Sequence, residues 1–431
     1  MINCYLLDGE FKEKSYVDFA GIADVVNENR VKLSKMPLNA IIELMGKLGK
    51  QIIRDDSLNQ YQGISYISLW LRKDNLRNIC KLNYSNNEYL DHFTKVGTKL
   101  EMYAQPRGIV CHWVAGNMPT LAFFSAVQAI LSRNGSIIKV PEDYKFLILS
   151  ILNILNTIEI EYEGDKYYGN DIVKSISIVS FNGHDHEIST RFSLTADCKL
   201  VYGGSDAIKA IASLPQKESC DTIIYGPKYS FAVFDKEYIE NDLFDDALKK
   251  CMSDVSLFNQ MACSSPHTLF FEKSKYSIEE IAEKLKVHLE NLPEGLLKQE
   301  KPQWMAANTI NARGMYLLGD DTKILKSEGL EWTILINEKT CLEEPIFGKC
   351  VFVKEISDID EVLELITRKI QAITVCVSDQ DKRRDFAINA TYRGVDRITT
   401  PGHIHDYDLP WDGILPLNRL VRWVILKNEK S

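Results

Sequence analysis

The segment Phe258-Asn259-Gln260-Met261-Ala262-Cys263-Ser264-Ser265-Pro266 carries the most reactive grouping in the chain. Amides precede a cysteine, and two hydroxyls and a proline follow it, which reads as an irregular loop at the end of a helix. Such a loop can expose a thiol and aim backbone N–H groups at it, lowering its pKa and providing a donor for an oxyanion. A buried loop thiol is the competing reading of Cys263. The tract His112-Trp113-Val114-Ala115-Gly116-Asn117-Met118-Pro119 ends a strand and sets the Asn117 amide at the carboxyl edge of a sheet. Open α/β sheets bind ligands at that edge. Gly203-Gly204-Ser205 follows the strand Lys199–Tyr202 and precedes a helical segment, with Asp206 placed to cap it. That context suits a pyrophosphate held by backbone N–H groups, and equally an ordinary glycine turn. Neither G-x-G-x-x-G nor G-x-x-x-x-G-K-[ST] occurs.

Two histidine pairs, His184 with His186 and His403 with His405, stand two residues apart and would each face one side of a strand. No Cys, His or Glu set completes either pair at familiar ligand spacing, so no metal is expected. Gly204-Ser205 lacks the G-x-S-x-G frame of a serine hydrolase. The ten cysteines include no C-x-x-C pair. They read as small buried hydrophobes in a reducing compartment rather than a disulfide framework.

These residues need a scaffold, and from about Pro106 the pattern is that of βαβ units with a largely parallel sheet. Strands are expected at Gly108–Val114, Ser136–Val140, Ile172–Ser180, Lys199–Tyr202 and Thr222–Tyr225. Helices are expected at Met118–Arg133, Phe146–Ile158 and Asp206–Ser213, with Leu38–Arg54 and Tyr61–Leu82 covering one side. A second alternation follows, with a helix around Asp242–Cys251, a strand at Thr268–Phe271 and a helix opened by the capping box Ser277-x-x-Glu280. Val351–Val353, a helix carrying Ile359, Val362, Leu363, Ile366 and Ile370, and Ile373–Val377 form another βαβ unit. The expected fold is α/β in two domains: residues 1–232 for cofactor binding, 233–401 for catalysis, and 402–431 as an arm or interface segment.

Of 431 residues, 45% are hydrophobic and 26% charged, and the net charge is −9. That is an ordinary globular composition, and an acidic one, so nucleic acid is not an expected partner. No run of 18 uninterrupted apolar residues occurs, so no membrane span is expected. The start, Met1 to Tyr16, lacks a basic region followed by an apolar core, and a cytoplasmic protein is expected.

The order Asn117, Lys139-Val140-Pro141-Glu142, Gly204-Ser205, Gly226-Pro227-Lys228, Gln260-x-x-Cys263 and Glu344-Pro345-Ile346-Phe347-Gly348 resembles the aldehyde dehydrogenase superfamily across nearly the whole chain. Within it, Asn259-Gln260-x-Ala262-Cys263-Ser264-Ser265-Pro266, Tyr225-Gly226-Pro227-Lys228 and the late Trp411-Asp412-Gly413 resemble the acyl-CoA reductases typified by the fatty-acid reductase of bacterial luminescence. The resemblance implies a nucleotide-binding doubly wound sheet, a catalytic cysteine domain, an acyl-CoA substrate and a homo-oligomer. It implies Cys263 as nucleophile and Asn117 as half of an oxyanion hole. Lys139 and Glu142 would hold the adenine ribose, Gly204 and Ser205 the pyrophosphate turn, and Phe347 the nicotinamide ribose. Two positions depart: Ile224 stands where oxidising members carry a water-activating Glu, and Pro345 stands where a ribose-binding Glu is usual, with Glu344 one place before it.

The missing base favours reduction, because an acyl-enzyme kept from activated water can accept a hydride and leave as aldehyde. The family implies NADPH, whereas Glu142 three residues after Lys139 would accept both ribose hydroxyls of NADH and repel a 2′-phosphate. Glu142 also reads as a solvated residue opening the next helix. Two alternatives compete with the acyl-CoA reductase: a dehydrogenase running from aldehyde to acid, and a non-catalytic interaction subunit using Trp411–Trp423.

Overall fold

A computed structural model describes residues 1–427, and the chain divides into two compact units. Unit 1 is Met1–Gly226 with Tyr407–Pro410 and the stretch from Ile414 onward, and unit 2 is Pro227–Asp406 with Trp411–Gly413.

Unit 1 is built on a seven-stranded sheet in the order Asp221–Tyr225, Cys198–Tyr202, Ile109–Trp113, Gly135–Lys139, Ile176–Ser180, Ile2–Leu6 and Lys14–Tyr16. The first five strands run parallel and the last two join antiparallel. Ile109–Trp113 is buried along its whole length, and the helix Leu121–Leu131 that follows is buried at nearly every residue. Continuous apolar runs of this kind are what a sheet covered on both faces requires. From Ile109–Trp113 the chain steps to Gly135–Lys139 and Ile176–Ser180 on one side, then returns to Cys198–Tyr202 and Asp221–Tyr225 on the other. The switch point therefore lies between Ile109–Trp113 and Cys198–Tyr202, and the loops carrying Asn117 and Gly204 leave the strands there.

Unit 2 holds a second seven-stranded sheet, ordered Thr322–Lys326, Thr333–Asn337, Cys350–Ile356, Pro266–Glu272, Tyr229–Phe234, Ile370–Cys376 and Arg397–Thr399. All neighbours are parallel except the Thr322–Lys326 edge. Its core includes Phe234 stacked on Phe271 at 4.7 Å with Phe244 edge-on. The helix Ile278–Glu290 opens with the expected capping box of Ser277 and Glu280. The Cys263 loop enters Pro266–Glu272 at its amino end, and Gln371 is the second residue of Ile370–Cys376. The Cys263 loop and Gln371 thus lie at the amino edge of the unit 2 sheet, whereas Asn117 and Gly204 follow the carboxyl ends of unit 1 strands.

Several expected elements change shape. Tyr61–Leu82 is two helices, Ile64–Trp70 and Lys73–Tyr84, because Arg72 is extended at ψ 134° and Asn75 donates to the freed Trp70 carbonyl at 2.8 Å. Ile172–Ser180 keeps a strand only over Ile176–Ser180, with Gly169–Val173 helical before it. The apolar spacing from Ile359 belongs to a 3₁₀ helix, Ile359–Leu365, whose three-residue turn suits the Ile359 and Val362 pair as well as an α-helix does. Position 232 falls inside the strand Tyr229–Phe234, which pairs wholly within unit 2. The segment from 402 is shared: Trp411–Gly413 belongs to unit 2, while Val421–Lys427 pairs antiparallel with Leu100–Pro106 in unit 1. Residues 428–431 of that segment lie outside the described residues. Among the described residues no helix is long and apolar enough to cross a membrane.

Candidate active site

The loop before Cys263 is wound the uncommon way. Phe258, Asn259 and Gln260 take φ of 55°, 52° and 64° in succession, which costs an L-residue roughly 1–2 kcal/mol each in the left-handed region. Tertiary bonds hold it there. Buried Gln260 accepts from the Cys350 N–H at 2.9 Å and donates to the Pro266 carbonyl at 2.9 Å, so one amide ties the loop to two strands. Ser230 Oγ donates to the Cys263 carbonyl at 2.8 Å and accepts from the Ala372 N–H at 3.2 Å.

Ser264 is fixed from the other side. His405 Nε2 sits 2.7 Å from the Asp254 carbonyl, to which it donates, and its Nδ1 therefore accepts from Ser264 Oγ at 2.9 Å. Burial pushes His405 down to about 4, so the ring is neutral at physiological pH. Cys263 itself keeps part of its surface open, as does Cys341, while the other eight cysteines are buried. Packing around the Cys263 sulfur pushes the thiol up to about 12; the Asp412 carboxylate adds to this, and Gln371 and Lys228 oppose it. The resting thiol is neutral.

Phe347 lies on a second left-handed run, with Phe347, Gly348 and Lys349 at φ 69°, 68° and 61°. Gly348 N–H donates to the Asn259 carbonyl at 2.9 Å, and Lys349 Nζ donates to Asn259 Oδ1 at 3.2 Å. The two unusual loops are therefore stapled together, and unit 2 brings Phe347 and the cysteine loop into one assembly. The Phe347 ring packs edge-on against His267 at 5.3 Å and Trp304 at 5.7 Å. Glu344 is exposed, whereas its neighbour Glu343 pairs with buried Lys354 at 3.2 Å.

Unit 1 holds the remaining residues. Asn117 is half-buried on the loop after Ile109–Trp113. Lys139 ends its strand with Nζ 5.0 Å from the Phe181 ring, and burial lowers its pKa. Glu142 accepts from the Tyr5 hydroxyl with both oxygens, at 2.8 and 2.7 Å, and pairs with Lys145. The Lys145 bond holds its carboxyl below the usual range. Gly204 is the N-cap of Ser205–Ala212, which it caps through its backbone, and Asp206 lies in the first turn rather than at the cap. A Cβ added at Gly204 would meet nothing within 4 Å, so the turn is open to a ligand. Lys139 ends its strand, and Asn117 and Gly204 follow theirs, all at the carboxyl edge of the sheet, where open α/β sheets bind ligands.

The histidine pairs do not lie on strands. His184 sits in a turn and His186 opens a helix capped by Asp185, while exposed His403 pairs with Asp406 at 2.8 Å and His405 is buried against Ser264. Among the described residues no group of three His, Cys, Asp or Glu side chains is placed to hold a metal ion. Sequence reading missed Ser230 and Gln371, and it placed His405 in a histidine pair rather than beside the cysteine loop. Gln371 had a signal, since it is the one amide in the buried strand Ile-Gln-Ala-Ile-Thr-Val-Cys.

A family model described as Acyl-CoA reductase (LuxC) matches residues 33–423. The chain is similar to a long-chain acyl-protein thioester reductase of Aliivibrio fischeri, 24% identical over 440 residues, covering 92% of this chain and 88% of that one. It is similar to long-chain acyl-protein thioester reductase 2 of Photobacterium leiognathi, 24% identical over 366 residues, covering 84% and 72%. Among solved structures it is similar to the putative aldehyde dehydrogenase PutA from Anabaena variabilis, with TM-score 0.71, 14% identity and coverage of 100% and 99%. The NAD-dependent benzaldehyde dehydrogenase from Corynebacterium glutamicum gives TM-score 0.69 at 15% identity, covering 100% and 94%. The fold is that of the aldehyde dehydrogenases.

Proposed function

The chain belongs to the acyl-CoA reductase (LuxC) family, and from that premise we propose that it reduces an acyl-CoA thioester to the aldehyde through an acyl-Cys263 intermediate, with release of coenzyme A. It is an oxidoreductase acting on acyl or aldehyde groups, and a nicotinamide cofactor accompanies its fold. The observation that carries the finer reading is the Cys263 loop: a partly open thiol on a backbone held in an uncommon conformation by Gln260, Ser230 and His405.

Cys263 attacks the thioester carbonyl, and the bond to the leaving sulfur breaks as the acyl group passes to the protein. Exchange between two thiols is nearly neutral in energy, so the protein's task is the transition state. Asn117 is proposed to supply a side-chain donor to the oxyanion, with the Cys263 backbone N–H as the other, each worth about 3–4 kcal/mol by analogy with oxyanion-hole deletions. When bound, a reduced nicotinamide supplies hydride equivalents. For this chain we assign Gly204 and Ser205 to its pyrophosphate, Lys139 and Glu142 to the adenine ribose, and Phe347 and Glu344 to the nicotinamide side. Ile224, in place of a carboxylate, leaves the acyl-enzyme without an activated water. NADPH is the proposed cofactor, with NADH accepted.

A second reading concerns the carrier. The relatives named above are acyl-protein thioester reductases, which favours a protein-borne thioester as the acyl donor. The test is direct. Cys263→Ala abolishes nicotinamide oxidation with acyl-CoA and with an acyl-protein thioester while leaving nicotinamide binding intact. Residual turnover above about a hundredth of wild type, in a folded variant, places the nucleophile elsewhere; turnover of only one carrier decides between the readings.

A further inference from the structure

A reductase without the water-activating carboxylate still has to dispose of a proton. The resting Cys263 is a neutral thiol, and the thiolate, not the thiol, attacks a carbonyl. Unit 2 places one carboxylate where that proton can go. Ser230 joins the Cys263 carbonyl to the Ala372 N–H, which brings the start of Ile370–Cys376 against the cysteine loop. Gln371, adjacent to Ala372 and 2% exposed, is a polar group that acts on the Cys263 thiol, opposing the rise that burial imposes on its pKa. Its Nε2 also donates to Asp412 Oδ1 at 3.0 Å. Asp412 is 5% exposed in its side chain and sits at φ 50°, immediately before Gly413 at φ 71°, so the turn that aims it is strained and held. An amide, a carboxylate and a thiol are thereby gathered at the amino edge of one sheet.

The charges facing this group are few. Lys228 lies 3.8 Å from Asp412 and donates to Asp396 at 2.6 Å, so its charge is shared between two carboxylates. Arg397 packs over the Trp411 ring at 5.3 Å, and His405, next to the loop through Ser264, is neutral. A carboxylate bonded to Gln371 and sharing the Lys228 cation with Asp396 is a better proton acceptor than one in a full ion pair.

We propose that Asp412 accepts the Cys263 proton as the sulfur attacks the acyl thioester, with the Gln371 carboxamide holding carboxylate and sulfur in register. The proposal rests on the thioester-reductase reading. The S–H bond of Cys263 breaks toward Asp412 while the sulfur bonds to the acyl carbon. The bond from that carbon to the leaving sulfur then breaks, and Asp412 returns the proton to the departing thiolate. Nothing is oxidised or reduced in this exchange, and no net proton is taken up. The Trp411-Asp412-Gly413 segment thereby gains a chemical role.

The experiment measures two rates in each variant: alkylation of Cys263 by iodoacetamide at pH 8, and the pre-steady-state burst of thiol release from acyl-CoA. In Asp412→Asn a neighbouring negative charge is gone, so alkylation rises about tenfold, a shift of one pKa unit. The burst slows at least 30-fold because the proton has no acceptor. Asp412→Glu restores most of the burst. Gln371→Met removes the donor to the sulfur and the clamp together, so both alkylation and the burst fall. If Asp412→Asn raises both rates, Asp412 merely suppresses the thiolate and the proposal is overturned. If both fall together, or neither changes, its role is structural and the proposal is equally overturned. Should Asp412→Asn not fold, Gln371→Met decides, with unchanged alkylation the contradicting result. Absence of any wild-type burst with both acyl-CoA and an acyl-protein thioester overturns the reductase reading itself, whereas a wild-type burst unaltered in Asp412→Asn overturns only the proton acceptor.

Discussion

A thiol pushed up to about 12 carries roughly one part in 10⁵ of thiolate at pH 7, against a few per cent for a free cysteine. So small a thiolate fraction makes the resting thiol slow to react with oxidants and alkylating agents. The sign follows from the direction of the shift: raising the pKa favours the neutral form everywhere below it. Alkylation of the resting protein by iodoacetamide should therefore climb about tenfold per pH unit from pH 7 to 10 without levelling off. A plateau beginning below pH 9 contradicts this, since it would mean an already ionised thiol. At this scale the sequence was informative about residue type and silent about environment. The Ser264-Ser265-Pro266 context marks Cys263, but its charge is set first by the packing around the sulfur, and the polar groups that adjust it, Gln371 and Asp412, lie 108 and 149 residues further on.

At the scale of elements, the parallel strands of unit 1 announce themselves because each is a short apolar run bounded by turn residues. Ile109–Trp113, Gly135–Lys139 and Cys198–Tyr202 fall where periodicity puts them. The last two strands of that sheet, Ile2–Leu6 and Lys14–Tyr16, were not legible, since short pairings of that kind are decided by the partner strand. The same limit applies to Glu142. Its position after Lys139 reads as a ribose carboxylate, yet its partners are Lys145, three residues on, and Tyr5, 137 residues back on a strand the sequence did not reveal. This clamp gives Glu142 a fixed, charged form. Under the proposed ribose assignment, opposing a 2′-phosphate there costs on the order of 1–2 kcal/mol. Glu142→Ser, which also frees Lys145, should shift the kcat/KM ratio toward NADPH by about tenfold, measured with both cofactors. An unchanged ratio would show that Glu142 serves the Tyr5 and Lys145 contacts alone.

For the whole molecule the division of labour is that of two sheets used at opposite edges. Unit 1 offers Asn117, Lys139 and Gly204 at carboxyl ends of parallel strands; unit 2 offers Cys263, Gln371 and Phe347 around the amino ends of its own. Two α/β units were legible from the repeated alternation of strand and helix patterns. Their boundary was not, because Tyr229–Phe234 looks alike as the last strand of one sheet or a central strand of the next. The passage of Trp411–Gly413 into unit 2 was equally hidden, since three residues carry no period. The direction of reaction also belongs to this scale, because it depends on what reaches the acyl-enzyme. The measurement that tests it is the fate of the acyl group in a single turnover. Protein incubated with acyl-CoA in the absence of nicotinamide should gain one acyl mass on the peptide containing Cys263, stable enough to isolate. Addition of NADPH should then discharge it as one equivalent of aldehyde with little free acid. Acylation at another residue, or discharge as acid in the wild-type protein, would contradict the account.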